Sequence, residues 1–232
     1  MDLLHYGLQR SGTNFLAALL EKKYRVRIRN RAVQDRSSPM HKHVRLYEDK
    51  DLIPEPLYKN DIRVHSIRDL ERRLDVVPAY YLVISKDPYS WFLSYARWAK
   101  RCNWPQAAHH YIQEYNLFYG KWLELSRETD RIMFVRYADL LRDARAALAR
   151  LQARTGMRPK WLARLLPNAI AKVDQSGEFS REQRDAYLAE RYLDEFSEPA
   201  IRELNALLDA QVAASLGYER RGAPSRPPRA RP

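Results

Sequence analysis

The sequence predicts a three-layer α/β fold, with a central parallel sheet of about four or five strands flanked by helices and a helical C-terminal part. Two apolar runs, at residues 80–85 and 131–137, are typical of strands that are buried on both faces of a parallel sheet. Strand-like and helix-like patterns also alternate along the chain, which is the order of repeated βα units. With 232 residues, the chain is long enough for one such domain.

The composition indicates a basic globular protein with anionic ligands. Lys and Arg number 41 against 29 Asp and Glu, which gives a net charge of +12. Five of the arginines lie in residues 220–232, a segment that contains no acidic residue and is rich in proline. We therefore predict one domain at residues 1–218 and a disordered basic tail at 219–232. No recognition module for nucleic acid is evident in the remaining basic chain.

Other classes of protein are disfavoured by simple features of the sequence. The single cysteine, Cys102, excludes an internal disulfide and a thiolate metal cluster. Residues 1–7 lack the basic and apolar regions of a signal segment, and no apolar run approaches the roughly 20 residues of a membrane span. We expect a cytoplasmic protein without a membrane span.

Residues 6–16 (YGLQRSGTNFL) are the first predicted functional segment. They follow the apolar residues of a first strand and precede the helical pattern of residues 14–22, so they form a strand, a loop and a helix. Gly7 and Gly12 have the spacing of a phosphate-binding loop, in which backbone N–H groups and the helix N-terminus face an anion. A nucleotide kinase has Lys and then Ser or Thr after the second glycine, where this chain has Thr13 and Asn14.

Residues 24–74 connect this loop to the buried strand predicted at 80–85. Residues 24–29 alternate apolar and cationic side chains, which predicts a strand with one basic, solvated face. Residues 30–40 are predicted to form a loop near the substrate, and residues 41–46 (HKHVRL) a short strand. On a strand, His41 and His43 would point to one face and Lys42 to the other. A surface helix is expected at residues 61–74, with His65 in its first part.

A second functional segment begins where the buried strand at 80–85 ends. Asp87 and Pro88 are favourable residues for the start of a helix, as cap and first helical residue. Lys86 precedes them at the carboxyl end of the strand, and Ser94 follows two turns into the helix. A cation and a hydroxyl therefore come to the strand edge at which parallel sheets bind ligands.

Both segments resemble nucleotide-binding motifs of the sulfotransferases, which use 3′-phosphoadenosine-5′-phosphosulfate (PAPS). Residues 9–16 match the family's K/R-S-G-T-T/N loop. Residues 86–94 resemble its R-D/N-P signature, in which a serine lies eight residues after the arginine. Lys86 replaces that arginine, and lysine cannot make the bidentate contact of a guanidinium. Residues 131–141 resemble the strand that closes the family's core sheet, and the end of the chain resembles its closing helix.

The resemblance implies an enzyme that transfers a sulfuryl group from PAPS to an acceptor hydroxyl or amine without a metal. It places the nucleotide on Lys86, Ser94 and the loop residues Arg10, Ser11, Gly12, Thr13 and Asn14. Arg10 would also neutralise charge on the leaving phosphate. A histidine is a natural general base because its pKa lies near neutral. His43, in a Lys-His pair similar to that of the family, is the first candidate; His41 and His65 are the alternates.

Several points stay open at this stage. The R-K-G triplet with which cytosolic members bind the 3′-phosphate is missing, so one side of that site has no assigned residue. The acceptor, a small molecule or a glycan, is not specified by the sequence, and neither is the oligomeric state. The alternatives are a P-loop kinase that uses ATP and Mg²⁺, and a non-catalytic module that binds polyanions through residues 24–29 and the tail.

The C-terminal half is predicted to be mainly helical. We expect a long helix over residues 104–125, a helix at 144–155 that ends at Gly156, and loops around Pro167 and Ser176. Two amphipathic helices are expected at 181–196 and 199–216, the second ending at Gly217.

Overall fold

A computed structural model of the chain describes residues 1–47, 62–103, 110–161 and 181–222. Within these ranges, four strands form one parallel sheet in the order β2-β1-β3-β4. The strands are β1 (Asp2–Tyr6), β2 (Arg27–Ile28), β3 (Tyr80–Ser85) and β4 (Ile132–Arg136). The predicted α/β class and the parallel sheet are confirmed.

Helices cover both faces of the sheet. They are α1 (Thr13–Lys23), α2 (Ile67–Arg72), α3 (Pro88–Arg101), α4 (Tyr111–Leu125), α5 (Tyr137–Thr155), α6 (Arg181–Leu188), α7 (Glu198–Leu207) and α8 (Ala210–Ser215), with a 3-10 helix at Arg191–Glu195. Helices α1 and α5 enclose one hydrophobic core, and α3, α4, α7 and α8 pack on the other face. The molecule therefore has three layers, as predicted.

Strand β3 shows why the sequence folds in this way. Leu82 and Ile84 point into the core under α1 and α5, whereas Tyr81 and Val83 point into the opposite core. All four side chains are fully buried. A continuous apolar run is required here because both faces of a central parallel strand are covered by helices.

The predicted helix ends are confirmed at three positions. The Asp87 carboxylate accepts hydrogen bonds from the backbone N–H groups of Tyr89 and Ser90 and so caps α3, in which Pro88 is the first residue. Gly156 ends α5 in the left-handed conformation, with φ of 67°. Gly217 has φ of 77° just after α8.

Two strand predictions differ from the structure. Residues 41–46 form turns rather than a strand, because the N–H groups of His41 and Val44 bond back to carbonyls three residues earlier, both at 2.9 Å. His41 and His43 are therefore not arranged by strand alternation. In the segment 24–29, only Arg27 and Ile28 pair with β1; Tyr24 makes an isolated bridge to Pro159.

Several helix predictions also require correction. The helix predicted at 144–155 begins earlier, at Tyr137, and has a kink at Asp143. The helix predicted at 181–196 is interrupted because Glu190 adopts a left-handed conformation with φ of 56°. The helix predicted at 199–216 divides because Asp209 caps a new helix, α8. His65 lies before α2, whose N-cap is Ser66, and not within the helix.

Some predictions concern residues outside the described ranges: the connector after residue 47, the start of the long helix before His110, the loops at Pro167 and Ser176, and the tail from residue 223. Arg220 and Arg221, at the start of the predicted tail, contact the domain. Arg220 donates to the carbonyl of Leu208, and the Arg221 N–H donates to Tyr89 Oη. Within the described ranges, no helix combines the length and the apolarity needed to cross a membrane.

A buried ion pair fixes the turn at residues 38–46 to the helical layer. The guanidinium of Arg45 and the carboxylate of Glu114 in α4 are in contact, and their side chains are 0% and 2% exposed. Buried charges of this kind are tolerated only when they are paired. The pair therefore determines how the segment after the loop docks on α4.

Replacement of Glu114 by alanine should destabilise the protein by about 3–5 kcal/mol, because it removes the buried carboxylate that contacts the Arg45 guanidinium. Urea unfolding measures this free energy. The exposed pair between Arg202 and Glu198 gives a matched control, since Arg202→Ala should change stability by less than about 1 kcal/mol. Equal effects of the two substitutions would contradict this role for the buried pair.

Candidate active site

The loop between β1 and α1 passes very close to the end of β3. The Gly7 N–H donates to the carbonyl of Lys42 at 3.1 Å. A Cβ at Gly7 would lie 2.8 Å from the carbonyl oxygen of Ile84 and 2.5 Å from Ser11 Oγ. Because Ile84 O belongs to the backbone of the central strand, it cannot move aside, and only glycine fits at position 7.

The conformation of the loop is unusual at two further positions. Arg10 and Gly12 both have positive φ angles, 69° and 99°. A Cβ at Gly12 would also lie 2.6 Å from the ring of Tyr137. Gly12 is the N-cap of α1 and has no side chain with which to cap the first N–H groups of the helix. The loop therefore brings the positive end of α1 to the carboxyl edge of the sheet, as an anion site requires.

Arg10 and Ser94, which the sequence analysis assigns to different motifs, are brought together. Arg10 Nε lies 3.5 Å from Ser94 Oγ, at the outer limit of a hydrogen bond. Ser94 is half-buried, two turns into α3. The two motifs therefore form one site across β1 and β3, and Ser11 and Thr13 of the loop are buried beside it.

Lys86 lies next to Arg10 in a largely aromatic environment. Its Nζ is 5.7 Å from the ring centre of Tyr137 and 5.4 Å from that of Tyr187. Burial, and secondly the positive charge of Arg10, lowers the pKa of Lys86 to about 7. Two cationic side chains are thus directed to the same region, which favours binding of an anion between them.

Three tyrosines that sequence reasoning did not identify hold the end of β3 in place. The hydroxyls of Tyr119, Tyr218 and Tyr115 donate to the successive carbonyls of Ile84, Ser85 and Lys86, at 2.9, 3.1 and 2.9 Å. The i, i+4 spacing of Tyr115 and Tyr119 predicts that both rings lie on one face of a helix. The sequence does not predict that their hydroxyls bond to the carbonyls of Lys86 and Ile84, because α4 and β3 are far apart in the chain.

The loop is also held from the side of α3. Trp91, three residues after Pro88, is fully buried and donates its indole N–H to the carbonyl of Gln9 at 2.9 Å. This bond fixes the backbone just before Arg10. The contact between Trp91 and the loop was not predicted, because Trp91 and Gln9 lie 82 positions apart in the chain.

One imidazole nitrogen of His43 is hydrogen-bonded to the loop between β1 and α1. Its Nδ1 is 2.6 Å from the carbonyl oxygen of Gly7, and since a carbonyl only accepts, Nδ1 carries the proton. Burial, opposed by this bond, lowers the pKa of His43 well below 6.5. The neutral ring then has its lone pair on Nε2, the form required of a proton acceptor.

Lys42 and Asn14 hold the turn at residues 38–46, here called the histidine turn, against α1. Lys42 Nζ donates to Asn14 Oδ1 at 2.7 Å. Asn14, which occupies the position of the metal-binding hydroxyl in a kinase loop, thus connects the helix to the turn. In the described part of the chain, no three His, Cys, Asp or Glu side chains are grouped to share a metal.

The two alternate bases have different surroundings. His41 Nδ1 accepts the N–H of His43 at 3.3 Å, and burial lowers the pKa of His41 to about 4. Its ring lies edge-on to that of His43, with centroids 5.4 Å apart. His65 is exposed, and its N–H donates to Asp69 Oδ2. Of the three histidines, His43 is thus the one whose ring bonds to a backbone carbonyl of the loop.

Lys86 should reduce the stability of the ligand-free protein. Its folded pKa of about 7 is below the ordinary 10.5, so between these pH values the unfolded chain binds more protons and stability rises with pH. Lys86→Met should therefore raise Tm at pH 7 by a few degrees, roughly the effect of 1 kcal/mol in a domain of this size. The difference from wild type should shrink at pH 9; a difference independent of pH would contradict the assignment.

The solved structures that are similar to this chain include two sulfotransferases. The crystal structure of mouse sulfotransferase SULT7A1 complexed with PAP has a TM-score of 0.49 and 15% identity, over 89% of this chain and 81% of that chain. The sulfotransferase domain from the Synechococcus PCC 7002 olefin synthase has a TM-score of 0.43 and 22% identity, over 66% of this chain and 55% of that chain. No family model and no curated protein matches the sequence. Both solved structures are sulfotransferases, the family that the two motifs of this chain resemble.

Proposed function

We propose that this protein is a sulfotransferase that moves a sulfuryl group from PAPS to the hydroxyl of a small-molecule or glycan acceptor. The observation that carries the proposal is the convergence of Arg10, Lys86 and Ser94 with the N-terminus of α1. Two cations, a hydroxyl and helix N–H groups meet where β1 and β3 end. This arrangement suits a nucleotide with phosphates at two separate positions.

The nucleotide is assigned to the site in one orientation. The 5′-phosphosulfate occupies the loop, where Arg10, Ser11, Gly12 and Thr13 face the helix N-terminus, and Asn14 lies at its edge. The 3′-phosphate is assigned to Lys86 and Ser94. Binding a multiply charged anion raises the pKa of Lys86 again, because a negative charge nearby favours the ammonium form.

In the chemical step, the acceptor oxygen attacks sulfur in line. A new O–S bond forms, and the bond between sulfur and the 5′-phosphate oxygen breaks. The hydroxyl proton passes to His43 Nε2, and the bonding electrons remain on the departing phosphate. Arg10 and the loop N–H groups stabilise this charge, so a metal is not needed in the proposed step. The products are the sulfate ester and 3′,5′-diphosphoadenosine (PAP).

Binding of PAP without magnesium tests the nucleotide site. At 100 times its Kd, PAP should stabilise the protein by about 2.7 kcal/mol, which is measured as a rise in Tm. Lys86→Ala and Arg10→Ala should each remove most of this rise. The exposed Arg101, at the end of α3, provides the control: Arg101→Ala should bind PAP like wild type. Lys86→Arg should bind PAP equally at pH 7.5 and pH 9, where the phosphates of PAP keep the same charge, whereas wild type should bind less tightly at pH 9.

Other outcomes of this experiment would overturn the proposal. A rise with ATP and Mg²⁺ but not with PAP would indicate a kinase. If neither nucleotide binds, and polyanion binding survives Arg10→Ala and Lys86→Ala but falls steeply with salt, the protein is a polyanion-binding module.

The role of His43 is tested by the release of PAP from PAPS in the presence of an accepted hydroxyl compound. His43→Gln should lower kcat by about 10² to 10⁴ and change the Kd of PAP far less, since the ring contacts the loop only through the Gly7 carbonyl. In wild type, kcat should fall only at a pH well below 6.5, because the pKa of His43 is lowered. His65→Asn is the control. A His43→Gln enzyme with wild-type kcat would transfer the role to His41.

A further inference from the structure

A cleft opens at the β2 edge of the sheet, outside the residues assigned to the nucleotide. Its volume is about 370 Å³, within the roughly 300 to 1,000 Å³ of small-molecule sites. Among the residues that line it are Arg27, Arg29, Val33, Ser38, Met40 and Asp75. They come from β2, from the loop that follows it and from the segment before β3.

One wall of the cleft has two guanidinium groups on a rigid support. The N–H groups of Arg27 and Arg29 donate to the carbonyls of Met1 and Leu3 at 2.9 and 3.0 Å, so the backbone pairing with β1 continues one residue beyond β2. Ile28, between them, is buried under α1 and α5, whereas both arginines are exposed. Asn30 fixes the end of the strand. Its side chain accepts the N–H of His5 at 3.0 Å and donates to the carbonyl of His5 at 2.8 Å.

The two arginines remain accessible to a ligand. Both are exposed, and Arg29 Nε lies 4.0 Å from Asp2 Oδ2, at the limit of an ion pair between partly exposed side chains. Such a pair contributes little to stability and is readily exchanged for another anion. Paired guanidinium groups are well suited to a carboxylate, which they bind with planar, directional hydrogen bonds.

The remaining walls have a different chemistry. Asp75 only accepts hydrogen bonds, so it suits a ligand hydroxyl, and Ser38 donates as well as accepts. Val33 and Met40 present apolar surface between these polar groups. Together the walls match a ring with a carboxylate on one side, hydroxyls on the other and an apolar face, which is the chemistry of a uronic acid.

The cleft is continuous with the turn that carries His43. The carbonyl of Ser38 accepts the N–H of His41 at 2.9 Å, and Ser38 Oγ accepts the N–H of Met40 at 3.1 Å. Tyr6 Oη donates to the carbonyl of Pro39 at 2.9 Å and fixes this turn to β1. A ligand held in the cleft therefore lies along the segment that leads to the proposed base.

We propose that the cleft binds a uronic acid residue of the acceptor, so that the acceptor is an acidic oligosaccharide that extends from the cleft along residues 38–43 towards His43. This inference rests on the proposed function, because the ligand of the cleft is an acceptor only if the protein is a sulfotransferase. The cleft's carboxylate, Asp75, disfavours a polyphosphate strand, since it would repel closely spaced anions.

The test is direct binding of a fluorescently labelled tetrasaccharide of alternating glucuronate and N-acetylglucosamine, measured by fluorescence anisotropy. Its carboxyl-reduced, neutral form is the ligand control. We expect wild type to bind the acidic form at least tenfold more tightly than the neutral form. Arg27→Ala/Arg29→Ala should lose at least tenfold in affinity for the acidic form. Arg25→Ala/Arg101→Ala, which removes two exposed arginines that do not line the cleft, should stay within threefold of wild type.

The outcomes separate this inference from the proposed function. Equal binding of the acidic and neutral forms, or equal losses in the two double variants, would overturn the cleft as a uronate site. So would single-stranded DNA that binds as tightly and displaces the tetrasaccharide. The Tm rise with PAP is the independent measure. If PAP binds and the tetrasaccharide does not, only the inference about the acceptor fails; if the tetrasaccharide binds and PAP does not, the proposed function fails and the cleft stands.

Discussion

The candidate site depends on the hydrogen bonds that hold the carbonyls of Ile84, Ser85 and Lys86, where β3 ends. The end of a parallel strand would otherwise leave these carbonyls buried without donors, at a cost of about 1–3 kcal/mol for each group. Tyrosine hydroxyls from α4 and from Tyr218 supply the donors. The rings of Tyr137 and Tyr187 lie beside the Lys86 ammonium, and burial lowers the pKa of this lysine. One set of tyrosines therefore fixes the backbone of the site, and a second set surrounds its lysine.

A second constraint connects the proposed base to the loop. Gly7 contacts the histidine turn through both of its backbone polar groups: its N–H donates to Lys42, and its carbonyl accepts from His43. The loop is thus a shared structural element of the anion site and of the base. A side chain at position 7 would clash with Ile84 O and displace the backbone, and this displacement would move both the anion site and the base.

The parts of the site that were predictable from the sequence are those defined by local chemistry. The strand, loop and helix around Gly7 and Gly12, the cap at Asp87 and the apolar run of β3 each depend on residues close in the chain, so their local structure was predicted correctly. Turns at residues 38–46 were missed because the alternating pattern of HKHVRL is also that of a strand. Two long-range contacts stabilise the turns. They are the hydrogen bond from Tyr6 Oη in β1 to the carbonyl of Pro39 and the ion pair between Arg45 and Glu114, whose partners lie 33 and 69 residues apart in the chain.

The unusual acidity of Lys86 has a consequence for calorimetry. An anion that restores the positive charge of Lys86 on binding takes up a proton, and at neutral pH this proton comes from the buffer. The measured heat then includes the ionisation enthalpy of that buffer, so the same ligand gives different apparent enthalpies in phosphate and in Tris. The slope of this dependence counts the protons taken up, so at a pH where the ligand's phosphates keep their charge it reports the protonation of Lys86.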